Sequence, residues 1–217
     1  MPVVVLASGR GSNLQAIIDA AADGRIPIRV RAVVSDKNDA FALERARRAS
    51  IDTRTLSPTP FPNRSAWDAA LAELIGGFDP GLVVLAGFMR LLGPMVIERF
   101  VGRILNIHPS LLPAYTGLDT HRRVIDGGET VTGASVHFVT EELDAGPAII
   151  QAQVPVEPDD DPATLAARVL EREHEIYPLA IGWFAQGRLA MRNGRAWLDG
   201  KPLDAPVMLG AAGGPGM

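Results

Sequence analysis

The sequence predicts an α/β fold: a doubly wound, mostly parallel open sheet with a C-terminal helix and a small hairpin. Three observations carry that reading. Continuous apolar runs at Val3–Ala7 and Leu82–Ala86 read as strands covered on both faces, and the β-branched stretch Val30–Val34 reads as a further strand. Segments of helical periodicity separate those runs. A glycine turn, Ser8–Asn13, joins the first run to the first helical segment. Sheets of this kind bind ligands at the carboxyl ends of their strands.

Each element has its own signal. Leu14, Ile17, Ile18 and Ala21 fall at helical spacing and Gly24 ends that helix. Phe41–Ala49 reads as a second helix and Thr53–Leu56 as a short strand. Pro58, Pro60 and Pro62 make a rigid connection, after which Trp67, Leu71, Leu74 and Ile75 share one helix face. Arg103–Ile107 is expected to be a strand that runs into the loop His108–Pro113. Gly133–Val139 and Ala148–Val156 are expected to be longer strands joined by Thr140–Pro147. Asp161-Pro162 gives an N-cap followed by proline at the first helical position. The helix it opens carries Leu165, Val169 and Ile176, and Pro178 should bend or end it. Leu189–Leu198 is expected to be a hairpin around Asn193-Gly194. There is no internal repeat. One domain over residues 1–209 is expected, with halves of about 1–100 and 101–209, then a disordered Gly-rich tail at 210–217.

Composition narrows the function. The chain has 217 residues, 47% of them apolar, enough for one well-filled core. No apolar run approaches the length of a membrane span and no charged leader precedes Val3, so a cytoplasmic protein is expected. The absence of cysteine excludes disulfides, thiolate nucleophiles and thiolate metal sites. A net charge of −4 argues against a nucleic-acid partner, and Arg45, Arg47 and Arg48 read as a solvated helix face. His108, His121, His137 and His174 are scattered without metal-ligand spacing, so no metal is expected. His137 alternates with apolar residues and reads as part of a polar seam in the sheet.

Three features bear chemistry. The loop Gly9–Asn13 is either a plain turn capped by Ser12 and Asn13, or a cradle whose free N–H groups take a phosphate. It is no Walker loop, and Leu14 stands where a dinucleotide fingerprint has its third glycine. Asn106 and His108 alternate with Leu105 and Ile107, so they leave one side of a strand together. An amide can stabilise an oxyanion there while an imidazole moves a proton, although a loop Asn and a surface His would leave the same trace. Asp144 lies between Leu143 and a Gly146-Pro147 turn that could fix its direction. Beside an imidazole it would orient the ring and favour its charged form.

Four segments together resemble the folate-dependent formyltransferase family, with a Rossmann-like formyltransferase fold. They are Gly9–Gln15 (GRGSNLQ), Leu85–Arg90 (LAGFMR), Asn106–Pro113 (NIHPSLLP) and Gly133–Pro147 (GASVHFVTEELDAGP). The order matches over about residues 3–200, and the first loop points to the glycinamide branch. The resemblance implies transfer of a formyl group from 10-formyltetrahydrofolate, as co-substrate, to the amine of 5-phosphoribosylglycinamide. It places a catalytic trio on Asn106, His108 and Asp144, and a phosphate loop on Gly11, Ser12 and Asn13. It places folate contacts on Arg64, Met89, Arg90, Leu91, Leu92, Asn106, Thr140, Glu141, Glu142, Leu143 and Asp144. Glu173 matches an acid that helps hold the glycinamide substrate. Small-molecule partners and a monomer or weak homodimer are expected. The chain departs from the family pattern at Asp119, where some relatives carry His, and at Leu170, in place of an amide.

Rival readings remain at this point. A formylating enzyme for initiator tRNA would need basic surface, and a formyl-folate hydrolase an added N-terminal domain. A nicotinamide dehydrogenase would set Asp36 on a ribose hydroxyl. A catalytically dead phosphoribosyl-binding module would keep the loop alone.

Overall fold

The computed structural model describes residues 1–210, so the tail expected at 210–217 lies outside the described residues except for Gly210. The chain forms two compact units, one over Met1–Asn106 and one from Ile107 onward.

The first unit alternates strand and helix. β1 (Pro2–Leu6), β2 (Arg29–Ser35), β3 (Asp52–Thr55) and β4 (Leu82–Leu85) are separated by α1 (Ser12–Ala22), α2 (Phe41–Arg48) and α3 (Arg64–Gly76). A short α4 (Pro94–Arg99) precedes β5 (Ile104–His108), which ends the unit at Asn106. Pairing runs β5-β4-β1-β2-β3, every pair parallel. Val3, Val4 and Val5 in central β1 are fully buried, as their unbroken apolar run requires.

Because β2 lies on one side of β1 and β4 on the other, the winding reverses between β1 and β4. Crossover connections therefore diverge there and leave a crevice at the carboxyl ends of the two strands. The glycine loop that follows β1 and the segment Gly87–Leu92 that follows β4 both flank that reversal. Ser8 ties them together: its N–H donates to the Gly87 carbonyl at 3.0 Å, and its Oγ accepts from the Met89 N–H at 2.8 Å.

The helix α4 went unread in the sequence because its cap comes from a distance. Buried Asp68 on α3 accepts from the N–H groups of Gly93 and Met95, at 2.7 and 2.9 Å. This satisfies orphan donors at the start of α4 that no local side chain reaches.

The second unit opens with the end of β5. It holds α5 (Thr120–Asp126), β6 (Val131–Phe138), β7 (Ala148–Pro155) and α6 (Pro162–Ala185). β8 (Leu189–Arg192), β9 (Arg195–Leu198) and β10 (Lys201–Pro202) form a small antiparallel sheet, and β11 (Val207–Leu209) follows. β6 and β7 are antiparallel, with the register shifting between Val136 and His137, and β11 adds to β7 in parallel. Asn193 and Gly194 both take positive φ, 50° and 71°, as the tight hairpin between β8 and β9 demands. Asp161 caps α6 by accepting from the Thr164 N–H at 2.7 Å. That bond holds its carboxyl below the ordinary Asp range.

Pro178 does not end the helix, one of the two outcomes expected of it. It sits inside α6, which continues through it to Ala185. Its missing N–H forfeits one rung of the helix. Burial outweighs that loss, since Ile176, Tyr177, Ala180 and Ile181 are fully buried where α6 packs on β6 and β7. Among the described residues no helix is long and apolar enough to cross a membrane.

Replacing Asp68 by Ala strands two backbone donors at the start of α4. We expect a loss of about 2 kcal/mol in unfolding free energy by urea titration. An unchanged midpoint would refute the remote cap.

Candidate active site

The site is built from the end of β5 outward. Strand alternation turns Leu105 and Ile107 one way and Asn106 and His108 the other. His108 is 5% exposed. Its Nε2 lies 2.8 Å from the Tyr115 carbonyl, which makes that nitrogen the N–H donor to the loop. Its Nδ1 lies 3.4 Å from Oδ2 of Asp144. The ring is thus held between a carbonyl and a carboxylate.

Asp144 is held from several sides. The Gly117 N–H donates to its Oδ2 at 2.9 Å, and its Oδ1 is 3.7 Å from Nε2 of His137. The backbone at Asp144 is left-handed, φ 52°, which Asp tolerates better than most residues. Two residues on, a side chain at Gly146 would run into the Phe138 carbonyl, so only glycine lets the loop close there. This turn aims the carboxylate, and the Gly-Pro frame read in the sequence is its cause.

The loop after β5 is stitched to β6 and β7. Ser135 Oγ donates to the Ser110 carbonyl at 2.6 Å and accepts from the Leu112 N–H at 3.0 Å. Gln151 Nε2 reaches both the Leu112 carbonyl and Ser135 Oγ, at 2.8 and 2.9 Å. Ser110 Oγ donates to the Ala114 carbonyl at 2.6 Å. His108 therefore leaves a strand end whose following turn is immobilised by buried hydrogen bonds.

His137 was read only as part of a polar seam, and the structure adds its place beside Asp144. Alternation assigned it a face but not a partner. The register shift next to it is what brings its ring to the Asp144 loop. Burial pushes its pKa below the usual His value. The Nδ1 bond to the Phe138 carbonyl and then the charge of Asp144 oppose that shift, while His108 adds to it. His121 on α5 is also pushed down, by burial first and by the charge of His108 second. Asp119 caps α5 through its backbone, in a left-handed conformation with φ 54° and no side-chain bond at the helix start.

In the first unit, Gly11 rather than Ser12 or Asn13 is the N-cap of α1, with φ 70° and no side-chain cap. This corrects the reading in which Ser12 and Asn13 merely cap: both lie inside the first turn. A side chain at Gly11 would meet Cα and Cβ of Ala42 at 2.8 Å. Arg64, Met89, Arg90 and Leu91 line one cavity of about 460 Å³ together with Phe61 and Trp67, while Leu92 is buried. Arg64 donates to the Leu91 carbonyl at 3.2 Å. Asp36, the residue a dehydrogenase would offer to ribose, is buried and paired instead with Arg90 at 2.9 Å. In the second unit Thr140–Asp144 form one loop and Glu173 is a buried acid on α6.

A family model described as formyl transferase matches residues 1–181. The chain is 56% identical to phosphoribosylglycinamide formyltransferase of Escherichia coli (strain K12), over 94% of this chain and 96% of that one. Among solved structures it resembles phosphoribosylglycinamide formyltransferase from Coxiella burnetii with a TM-score of 0.90 and 51% identity, covering 94% and 95% of the two chains. It also resembles glycinamide ribonucleotide transformylase 1 from Symbiobacterium toebii, with a TM-score of 0.89 and 49% identity over 91% and 93%.

The lowered pKa of His137 links the site to stability. A His harder to protonate when folded stabilises the fold above its unfolded pKa, about 6.5. That stability is lost as pH falls further, because the unfolded chain binds the proton first. Unfolding free energy should therefore drop between pH 7.5 and 5.5, by at most about 1.4 kcal/mol per pH unit from this group. His137→Gln should flatten the slope in urea titrations at the two pH values. A slope identical in the variant would remove His137 as its source.

Proposed function

The chain belongs to the formyl transferase family, and we infer that it transfers the formyl group of 10-formyltetrahydrofolate to the amine of 5-phosphoribosylglycinamide. The products are formylglycinamide ribonucleotide and tetrahydrofolate, a step of de novo purine biosynthesis. The observation that carries the chemistry is the pairing of His108 with a buried Asp144, at the end of the strand that also bears Asn106.

The reaction needs no covalent enzyme intermediate. The substrate amine attacks the formyl carbon and the carbonyl oxygen becomes an oxyanion in a tetrahedral intermediate. The Asn106 amide donates to that oxygen. The amine nitrogen then gives up a proton, the bond from the formyl carbon to the folate nitrogen breaks, and that nitrogen gains a proton. His108 carries it, exchanging its Nε2 bond to the Tyr115 carbonyl for the reacting atoms, while Asp144 keeps hold of the Nδ1 side. Asp144 thus acts through His108.

In this reading Gly11, Ser12 and Asn13 take the substrate phosphate at the start of α1, whose N-cap is a glycine with no side chain. Glu173 helps hold the glycinamide. The cavity lined by Arg64, Met89, Arg90 and Leu91 takes part of the folate, with Leu92 beside it. Thr140, Glu141, Glu142 and Leu143 contribute contacts from the Asp144 loop.

Purified protein mixed with 10-formyldideazafolate and phosphoribosylglycinamide should deformylate the folate analogue only when the ribonucleotide is present. Deformylation without it would make the chain a hydrolase. Asn106→Ala should lower kcat on the order of a hundred- to thousandfold. Near-full turnover in that variant would remove Asn106 from the oxyanion role.

A further inference from the structure

The three arginines of α2 do not share one role. Arg47 and Arg48 pair with Glu44 on their own helix, at 3.9 and 2.9 Å, and stay exposed. Arg45 shares the Phe41 ring with Arg48 but reaches on to the loop before α1. Its Nε donates to the Arg10 carbonyl at 2.9 Å and its Nη1 to Oε1 of Gln15 at 3.1 Å. Its guanidinium also lies 5.0 Å above the Phe41 ring, which fixes the stem from behind.

The other side of the same contact is backbone. The Ala42 N–H donates to the Gly9 carbonyl at 3.0 Å, and Ala42 packs so closely on Gly11 that no side chain fits there. The chain of bonds continues along α1, where Gln15 Nε2 donates to Asp19 at 2.8 Å. The turn from Gly9 to Gln15 is therefore clamped from α2 at both ends, and Arg45 holds the carbonyl between the two glycines. The Arg10 carbonyl shares one rigid peptide plane with the Gly11 N–H, so holding the carbonyl fixes the direction of that donor. Arg45 also sets a permanent positive charge beside the first turn of α1.

We propose that Arg45 is a positioning residue for the phosphate loop: it presets the first of the Gly11–Asn13 donors and adds charge for a phosphomonoester, without touching the reacting atoms. The proposal rests on the reading of Gly11, Ser12 and Asn13 as the phosphate-binding turn. Its signature is selective. Removing Arg45 weakens the phosphorylated acceptor alone, because neither the formyl donor nor the chemistry at His108 depends on it.

The test is steady-state kinetics of wild type, Arg45→Ala, Arg45→Lys and Asn13→Ala. Each is assayed with phosphoribosylglycinamide and with the same acceptor lacking its phosphate. In Arg45→Ala, KM for the phosphorylated acceptor should rise about tenfold, the worth of roughly one charge-assisted hydrogen bond. The donor KM, kcat and kcat/KM for the dephosphorylated acceptor should stay within about twofold of wild type, a margin well under one such bond. Arg45→Lys should recover part of the loss, and it carries the test alone if Arg45→Ala fails to fold. A rise in KM for Asn13→Ala with none at Arg45 overturns the proposal and leaves the phosphate loop standing. Equal losses with both acceptors assign Arg45 a merely structural role and also overturn it. If wild type shows no preference for the phosphorylated acceptor and Asn13→Ala changes nothing, the phosphate-loop reading itself falls.

Discussion

A carboxylate with only 7% of its side chain exposed needs partners within the protein, because burial removes hydration that few protein groups replace in full. Asp144 meets that demand with a backbone N–H from Gly117 on Oδ2, the oxygen that also faces the His108 ring, while His137 lies 3.7 Å from Oδ1. Much of the surrounding backbone follows from this. The left-handed turn at Asp144, the bare α-carbon at Gly146 and the positive φ of Gly117 are the geometry that brings the donor and rings within reach. Removing any one of them would leave the charge buried without its partners.

The first unit solves a different problem. A parallel sheet offers open backbone at its winding reversal, but a loop there must be held if it is to bind anything repeatably. Here the segment after β4 is tied to Ser8, Asp36 and Asp68, three polar side chains that are each almost wholly buried. Met89 and Leu91 nonetheless remain about half exposed or more, at 61% and 51%. Fixed backbone therefore lies beneath exposed apolar side chains along one wall of the cavity.

The legible parts of the fold were those with local causes. β1 and β4 announced themselves as unbroken apolar runs, the Asp161-Pro162 cap started α6 where expected, and Asn193-Gly194 made its hairpin. The missed parts had distant causes. α4 depends on a carboxylate 25 residues earlier in the chain. Helix α5 is only seven residues long and begins on a backbone conformation rather than a capping side chain. The proline penalty at position 178 was real, but a helix buried on β6 and β7 absorbs it. In the site, residue types and spacing suggested Asn106 and His108, whereas pairing Asp144 with them needed the family resemblance. His137 shows the limit: a period of two reveals which face a residue takes, and a register shift decides whom it meets.

Ser135 has a single hydroxyl hydrogen, and it goes to the Ser110 carbonyl. Its lone pairs must then receive both the Leu112 N–H and the Gln151 amide, so every bond in that lattice has one permitted direction. The amide of Gln151 cannot be flipped, nor the hydroxyl turned, without setting donor against donor. An apolar residue at 135 would strand the Ser110 carbonyl and the Leu112 N–H, and one at 151 the Leu112 carbonyl, so the turn that carries His108 is wired to two strands by groups that cannot stand in for one another.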